Sequence, residues 1–477
     1  MSATVVVLLV YLVMLIGLAA WSRRETHSLS GYFLAGKKLP YWVVAFSTNA
    51  TGESGWLLLG LTGMGYMVGA QAFWVMVGEV VGITLAWTLV SKRLKKLGDE
   101  TDSITVPDVL AAHFDDRKHV LRSIAVFIIL SMVTAYVSAQ MMATGKAFSS
   151  FMDLDYSTAV VIGAVIIMAY TFIGGYKAVA YTDVVQGVLM LIGLIGVPLV
   201  AISAAGGWGE ITSGLREIDP GLMSVWGTGG NGIVAWVAIF SFVAIGLPYM
   251  GVPQLAVRFM SVSNIDDLGK ARNISILVII LFDIGAITAG MAGRVLFPGL
   301  EDAETILPVL SSELLPPILT GVMMVVILSA IMSTVDSLLL LASSAVVRDG
   351  IQKIGGSKKS DAVLSNYGKA VTLVVGIAGA AFAISEPKVI FWFVLFAWSG
   401  LGAAFGPVIL CALYYKKTTL QGAIAGMLGG FLTSIIWVLV FKTQTYELYE
   451  MIPGFIVGTG LTLIVSHMTL KSREAAA

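Results

Sequence analysis

The chain has 477 residues, of which 57% are hydrophobic and only 12% are charged, and its formal net charge is zero. Soluble domains carry about 25% charged residues, so the composition excludes an ordinary soluble protein and gives no sign of a nucleic-acid partner. The single cysteine, Cys411, excludes a disulfide framework or a zinc cluster within one chain. The sequence therefore predicts an all-α integral membrane protein.

Thirteen apolar stretches have the length of a transmembrane helix, which needs about 20 residues. They lie near 3–21, 40–69, 72–91, 120–147, 157–175, 183–203, 231–255, 273–297, 316–346, 368–385, 389–414, 419–441 and 452–470. The first stretch has no basic n-region and no cleavage site, so we predict a retained span rather than a signal peptide. No connection is long enough to hold its own core, which predicts a single transmembrane domain over 1–477.

The basic residues are distributed unevenly between the two sides of this arrangement. All but five of the 29 lysines and arginines fall on one side, and the exceptions are Lys146, Arg216, Arg294, Lys388 and Lys442. Cytoplasmic loops carry the excess of basic residues in membrane proteins. We therefore expect the N-terminus outside the cell and the C-terminus in the cytoplasm.

The second predicted span is interrupted by a polar run, STNATGESG at 47–55, that includes Glu53. Acidic and hydroxyl side chains inside a bilayer are costly unless they bind something. Interrupted helices mark the substrate and ion sites of secondary transporters. The alternative is a helix that bends at a glycine and whose polar patch is satisfied internally.

The seventh span is interrupted at 246–249 and again at 251–253, where glycine and proline free backbone carbonyls. The two interrupted spans are five helices apart, and this odd offset gives them opposite orientations. We therefore predict an inverted pair of five-helix repeats, about 38–205 and about 231–414. The flanking helices 3–21, 419–441 and 452–470 lie outside the pair.

The ninth span places four small residues on one helical face, at positions i, i+3, i+4 and i+7: Ala330, Ser333, Thr334 and Ser337. Asp336 lies beside them. Hydroxyl groups that face the freed carbonyls of the second span would form a hard-oxygen site suited to sodium. The alternative is close helix packing, with the hydroxyls bonded to their own helix.

Further acids fall inside predicted spans. Asp183 begins the sixth predicted span. One interpretation is that Thr182 or Asp183 caps this helix, and the other is that the Asp183 carboxylate lies on an inner ion-exit path. The two roles are compatible. Glu79 and Asp283 have apolar neighbours, and no basic residue is predicted near Glu53 or either of them, so shared protons or a bound cation are the candidate partners.

Three aromatic residues, Trp56, Tyr136 and Tyr249, are candidates for lining a cavity, and contact with lipid is the alternative. No nucleotide-binding P-loop, metalloprotease helix or Gly-x-Ser-x-Gly motif is present. We therefore expect a protein that is not an enzyme.

Six stretches carry a resemblance to a known family: SGWLLLGL at 54–61, TFIGGYKAVAYTDVVQ at 171–186, PQLAVRFM at 253–260, AIMSTVDSLLLLASSAV at 330–346, AWSGLGAAFGPVIL at 397–410 and IPGFIVG at 452–458. The chain resembles the sodium/solute symporter family, and most closely its bacterial sodium/proline branch. The resemblance implies thirteen helices in a leucine-transporter-like fold. It also implies alternating-access symport of Na+ with proline or a related amino acid across the bacterial inner membrane, with no cofactor beyond the coupling ion and no obligate protein partner.

The resemblance also implies site residues. Sodium would be bound by the carbonyls of Ala50, Glu53 and Ala330 and the hydroxyls of Ser333 and Thr334. In some members a second sodium is bound near the residues that match Asp183 and Ser337. Together with Asp336, singled out above in the ninth span, these are the candidates for a second ion site or an exit path. The positions implied or singled out for the solute are Ser54, Gly55, Trp56, Tyr136, Ile245, Tyr249 and Pro253.

Two positions depart from the branch. Its functional aspartate is replaced by Gly52, with an acid one place further on, and its tryptophan in the seventh span is replaced by Ile245. A side chain one residue along a helix points about 100° away. Coupling to protons, and a solute of another kind (a short carboxylate, a sugar or a sugar acid), therefore stay open as alternatives.

Overall fold

The computed structural model describes residues 3–22, 28–171, 175–385 and 389–476. Within these ranges the chain is helical and forms no sheet, and only Leu39 and Val262 make an isolated bridge. The first half contains the helices α1 Ala3–Ser22, α2 Leu29–Leu34, α3 Tyr41–Gly55, α4 Thr62–Val68, α5 Phe73–Leu85, α6 Lys92–Glu100, α7 Val106–His113, α8 Val120–Met152, α9 Tyr156–Thr171, α10 Tyr176–Ala204 and α11 Trp208–Ile218.

The second half continues with α12 Ile233–Ala244, α13 Pro253–Ser261, α14 Leu268–Leu296, α15 Ile306–Leu314, α16 Pro317–Ser344, α17 Asp361–Ser385, α18 Ile390–Tyr414, α19 Leu420–Ile436 and α20 Met451–Ala476. Wider π-helical turns extend α5 through Ala86–Ser91, α16 through Ala345–Ile354 and α19 through Trp437–Phe441. Another π-helical segment, Trp56–Leu61, joins α3 to α4.

Eleven helices in the described ranges are long and apolar enough to cross a membrane. One of them, the continuous helical stretch Tyr41–Glu100, contains both the second and the third predicted spans, and Tyr156–Ala169, at the fifth predicted span, is a shorter apolar helix. The all-α membrane architecture is confirmed. The count of thirteen stays a prediction, as do the boundaries of the two repeats.

The second span is interrupted where the sequence predicts. Ser54, at the end of α3, has φ 29° and ψ −169°, which is non-helical. A non-glycine residue in such a conformation costs about 1–3 kcal/mol and persists where the surroundings hold it. The run from Ser47 to Gly55 is buried, so the break lies inside the helix bundle.

The seventh span is interrupted as predicted. α12 ends at Ala244, a 3-10 turn covers Leu247–Met250, and α13 starts with Pro253 as its first residue. Gly246 allows the break to approach α5 closely, because a Cβ there would lie 1.8 Å from the Gly78 carbonyl oxygen. The second interruption is therefore packed directly against the third span.

The start of the sixth span was predicted wrongly. α10 begins at Tyr176 with Gly175 as its N-cap, so Thr182 and Asp183 lie about two turns inside the helix and neither is its N-cap. The apolar stretch that begins at 183 leaves out residues 176–182, because Lys177 and two tyrosines lower the hydropathy of those two turns. Residues 172–174 of the TFIGGYKAVAYTDVVQ motif and Lys388, one of the five basic exceptions, fall outside the described residues.

Candidate functional site

The first broken helix packs against three others at the centre of the bundle. α3 contacts α10, α14 and α16. Asn49 of α3 donates a 2.7 Å hydrogen bond to the Ser275 carbonyl of α14. This contact fixes the helix just before its break, where the polar residues converge.

A cluster of hydroxyls and carbonyls joins α3 to α16. The Ser333 hydroxyl donates to the carbonyls of Ala50, at 2.7 Å, and Ala330, at 3.0 Å. The Thr334 hydroxyl donates to the carbonyl of Thr51 at 2.9 Å. All five residues are buried. The oxygen atoms match the donor set that hard cations prefer, so the residues present fit a sodium ion.

The structure thus brings Ala50, Ala330, Ser333 and Thr334 to one place. The carbonyl and the side chain of Glu53 lie in different environments. Its carbonyl accepts a hydrogen bond from the Trp56 N–H beside the break, whereas its side chain points to Tyr249.

Asp183 faces the same helix pair from α10. Its Oδ2 accepts a 2.6 Å hydrogen bond from Ser47, and it pairs at 3.0 Å with Nη2 of Arg258. The same nitrogen donates to the hydroxyls of Thr51 at 2.5 Å and Ser337 at 2.6 Å. The guanidinium therefore occupies the centre of the predicted second ion site or exit path.

The sequence interpretation missed Arg258. It counted this residue among the basic residues that follow the seventh span, but the side chain is only 1% exposed. Arg258 lies on α13, the second half of the broken span, which carries it into the bundle. A useful signal was present, since a buried Asp183 requires a positive partner. Asp336, beside Ser337, is also buried.

Three carboxylates gather on the other side of α3. Glu53 of α3, Glu79 of α5 and Asp283 of α14 each have a carboxylate oxygen within 4.8 Å of the others. All three are at most 1% exposed. The Tyr249 hydroxyl donates to Glu53 at 2.7 Å and lies 3.3 Å from Glu79. We call Glu53, Glu79 and Asp283 the acid triad.

Gly52 explains how Tyr249 reaches the acid triad. A Cβ at Gly52 would lie 3.3 Å from the Tyr249 hydroxyl and 3.4 Å from its ring. A larger side chain would therefore press on Tyr249. The absence of an aspartate here is consistent with a site in which the tyrosine hydroxyl approaches α3 closely.

The predicted solute residues lie around the Ser54 break. Gln140 of α8 accepts a 2.9 Å hydrogen bond from the Gly55 N–H and donates to the Ser54 hydroxyl at 3.2 Å. Tyr136 lies one turn before Gln140 on the same helix. The sequence interpretation missed Gln140, although its i+4 spacing from Tyr136 was a usable signal.

A second missed residue, Trp398 of α18, completes the aromatic wall. Its ring lies 5.2 Å from the Tyr249 ring and 6.4 Å from the Tyr136 ring. Its indole N–H donates to the Ile245 carbonyl at 3.0 Å. Trp398 belongs to the AWSGLGAAFGPVIL stretch, so the motif contained it without revealing its contacts.

The remaining predicted positions are placed at the edge of this wall. Trp56 packs on Phe391 at 5.9 Å and donates its indole N–H to the Gly52 carbonyl at 3.2 Å. Ile245 is 1% exposed and contributes its carbonyl to Trp398. Pro253 is buried and begins α13, four residues after Tyr249.

A small cavity of ≈ 20 Å³, with room for about one water molecule, lies against residues of the predicted exit path. Its lining includes Tyr176, Gln254, Arg258 and Ser337. Tyr136 and Tyr249, by contrast, are at most 2% exposed. The cavity thus borders Arg258 and Ser337, whereas the aromatic wall is closed to solvent.

Comparisons with known proteins identify the family of the chain. The model of the sodium:solute symporter family matches residues 32–430. A high-affinity proline transporter of Bacillus subtilis is 37% identical over 467 residues, covering 97% of both chains. A sodium/proline symporter of Staphylococcus aureus is 35% identical over 481 residues, covering 98% of this chain and 93% of the relative.

Solved structures show the same fold. A Na+-coupled sialic acid symporter, in a substrate-bound outward-open state, matches with a TM-score of 0.81 at 19% identity, over 98% of each chain. A nucleobase-cation-symport-1 transporter in a closed conformation matches with a TM-score of 0.55 at 13% identity, over 94% of this chain and 96% of that one. The leucine-transporter-like architecture is thereby confirmed.

Proposed function

The chain belongs to the sodium:solute symporter family, and we propose that it is a sodium/proline symporter. The family membership makes it a multi-pass membrane transporter that couples solute uptake to sodium. The observation that carries the choice of solute is the near full-length similarity to two proline transporters at 37% and 35% identity. A related amino acid is the nearest alternative solute.

The proposed sodium site is the hydroxyl–carbonyl cluster between α3 and α16. Ser333 and Thr334 supply hydroxyl oxygens, and Ala50 and Ala330 supply carbonyl oxygens, with the Glu53 carbonyl as the fifth ligand. The hydroxyls already bond to carbonyls of α3, so an ion that replaces these bonds would hold the two helices in register. Sodium binding is in this way linked to the position of α3.

The proposed solute site lies on the other side of the same break. Ser54, Gly55 and Gln140 offer hydrogen-bonding groups, and Tyr136, Tyr249 and Trp398 offer an aromatic wall. Trp56, Ile245 and Pro253 complete the site at its edge. Because Ser54 and Ala50 belong to one interrupted helix, the solute and sodium would both favour the same conformation of α3, which is the condition for coupling.

The proposed ion-exit path runs past Arg258 to the cavity. Arg258 contacts Asp183, Thr51 and Ser337 at once, so its positive charge takes the place that a second sodium would need. Asp336 lies beside this path. We propose that sodium leaves past these residues and that the cavity faces the cytoplasm.

The proposed topology follows the distribution of basic residues in the sequence. The N-terminus lies outside and the C-terminus lies in the cytoplasm of a bacterial inner membrane. The five-helix repeats at about 38–205 and about 231–414 rock against each other around the site, while the helices at 3–21, 419–441 and 452–470 flank them. No obligate protein partner is required by this arrangement.

Uptake into proteoliposomes tests the function directly. Labelled proline is supplied with an inward sodium gradient, an inward proton gradient or no gradient. We expect accumulation only with sodium. Uptake driven by protons alone would contradict sodium coupling, and an absence of proline uptake under every gradient would contradict the solute. A competition screen with other amino acids, short carboxylates and sugars would then identify the solute.

A further inference from the structure

The acid triad places three carboxylates, each buried, in one small volume without a basic partner. Glu53, Glu79 and Asp283 are 0%, 1% and 0% exposed. Among the described residues no lysine, arginine or histidine forms an ion pair with any of them. Like charges this close cannot all stay ionised in a low-dielectric interior without compensation. The triad therefore requires positive charge from outside the protein or protons of its own.

The carboxylate oxygens are also short of hydrogen-bond donors. In the described part of the chain no hydroxyl, amide or basic group donates to either oxygen of Asp283, whose carboxyl contacts that of Glu79. Glu53 and Glu79 each leave Oε2 without such a donor. A buried carboxylate in a settled structural role normally bonds to donors. Tyr249 is the one donor that reaches the triad in the contacts described above, and it serves only Oε1 of the two glutamates. Four carboxylate oxygens, Oε2 of the two glutamates and both oxygens of Asp283, thus receive no hydrogen bond from a hydroxyl, amide or basic group.

The spacing of these oxygens matches a metal ion. Oxygen ligands bind a hard cation such as Ca²⁺ at about 2.3–2.6 Å, so two ligands on opposite sides of an ion are separated by roughly 5 Å. One carboxylate oxygen from each residue of the acid triad lies within 4.8 Å of the other two, which is within this range. Mg²⁺ fits less well, because it demands near-ideal octahedral geometry and retains several waters.

We propose that the acid triad is a second cation site, separate from the sodium site between α3 and α16, and that it takes a hard metal cation of the size of Na+ or Ca²⁺. Its ligands come from α3, α5 and α14, whereas the first site uses α3 and α16. Glu53 contributes its side chain to one site and adjoins the other through its backbone. A cation in the acid triad would be linked to the aromatic wall through Tyr249, which contacts both. The proposal does not depend on which solute is transported.

Equilibrium binding of cations to the purified full-length protein tests this site. The double variant Ser333→Ala/Thr334→Ala lacks the hydroxyls of the first site, so cation binding that it retains belongs elsewhere. Binding of ²²Na+ and ⁴⁵Ca²⁺ is measured at constant ionic strength, with choline replacing the metal ion. We expect the double variant to retain saturable binding of one of the two cations, and the cation that is retained identifies the occupant.

Adding Asp283→Asn to the double variant should abolish this retained binding, and Glu79→Gln should weaken it by about tenfold or more, since affinity follows the number of charged ligands. Glu450→Gln is the matched control, because Glu450 is also buried but pairs with Lys442 and Ser399. The rise in unfolding temperature that the metal ion produces in the unsubstituted protein provides a second readout.

Loss of all cation binding in the double variant, together with single-site binding in the unsubstituted protein, would overturn the proposal and leave the triad as protonated acids. Unchanged retained binding after Asp283→Asn would also overturn it. A failure of proline uptake would not affect these readouts, so the second cation site and the choice of solute are tested separately.

Discussion

The Tyr249 hydroxyl donates a 2.7 Å hydrogen bond to the Glu53 carboxylate, and these residues come from the two interrupted helices. Glu53 lies one position before the Ser54 break, and Tyr249 lies within the 3-10 turn of the second break. The bond therefore ties the two breaks together. A conformational change that separates the two interrupted helices must alter it.

Replacement of Tyr249 by phenylalanine should weaken solute binding. The substitution keeps the ring against Trp398 but removes the hydroxyl that donates to Glu53 and holds the ring in the aromatic wall. A hydrogen bond to a charged group contributes about 1.5–3 kcal/mol. We expect the KM for sodium-driven proline uptake to rise by about tenfold or more. Tyr449→Phe is the control, because Tyr449 is equally buried but donates to the Leu395 carbonyl. Equal KM values in the two variants would contradict this role.

The hydroxyls of α16 should determine the affinity for sodium. Either Ser333→Ala or Thr334→Ala removes one oxygen ligand while leaving the helix intact, so the sodium concentration that half-activates uptake should rise tenfold or more. Ser344→Ala, which removes a hydroxyl bonded only to its own helix in the described contacts, should leave it unchanged. Unchanged sodium activation in both site variants would remove this site.

Arg258 should be needed for stability as well as for transport. Arg258→Met leaves Asp183 buried without its charge partner, and breaking a buried pair in this way costs about 3–5 kcal/mol. We expect a lower unfolding temperature and loss of uptake. Arg258→Lys keeps the charge but cannot contact Asp183, Thr51 and Ser337 with one planar group, so it should restore stability more than uptake.

The double variant Arg258→Met/Asp183→Asn separates the two effects. Removing both charges relieves the unpaired carboxylate, so the unfolding temperature should recover towards that of the original chain while uptake stays low. A double variant as unstable as Arg258→Met alone would show that the guanidinium stabilises the fold through its hydroxyl contacts and not through the ion pair.

The parts of the site that the sequence could predict are those encoded within a single helix. The polar run around Glu53, the Gly–Pro break near Tyr249 and the face that carries Ser333 are all local patterns, and each is found where the sequence places it. The structure adds contacts between segments far apart in the chain. Arg258 meets Asp183 across 75 positions, and such a pairing leaves no trace in local periodicity.

The acid triad illustrates the same limit of sequence-based prediction. The sequence identifies Glu53, Glu79 and Asp283 as acids that need a partner, but it cannot show that each is the others' neighbour. Their proximity depends on the packing of α14 against α3 and α5. The error at Asp183 had a different cause, since Lys177 and two tyrosines lower the hydropathy of the first two turns of α10.

Asp108, which lies outside the spans, belongs to an ion-pair network that predicts a specific response to acid. Asp108 of α7 pairs with Arg122 at 2.9 Å and with Arg348 at 2.9 Å, and Arg122 also binds Asp349 at 2.6 Å. Burial alone would raise the pKa of Asp108, but Arg348 and Arg122 outweigh it and hold that pKa below the ordinary value of 3.8. The network joins α7 and α8 to the π-helical end of α16.

The pKa of Asp108 is lower in the folded than in the unfolded chain, so its ionised form stabilises the fold. This contribution is fully present above pH 3.8 and is lost as the pH falls through the lower, folded pKa. We therefore expect the unfolding temperature of the original chain to decline below about pH 4.

Asp108→Asn should be less stable at neutral pH, and the difference between the two proteins should shrink as the pH falls through this window. Glu301→Gln, at an exposed acid, should follow the original chain at every pH. A stability difference between Asp108→Asn and the original chain that is constant from pH 7 to pH 3 would show that the charge of Asp108 contributes nothing and that its hydrogen bonds alone hold the network together.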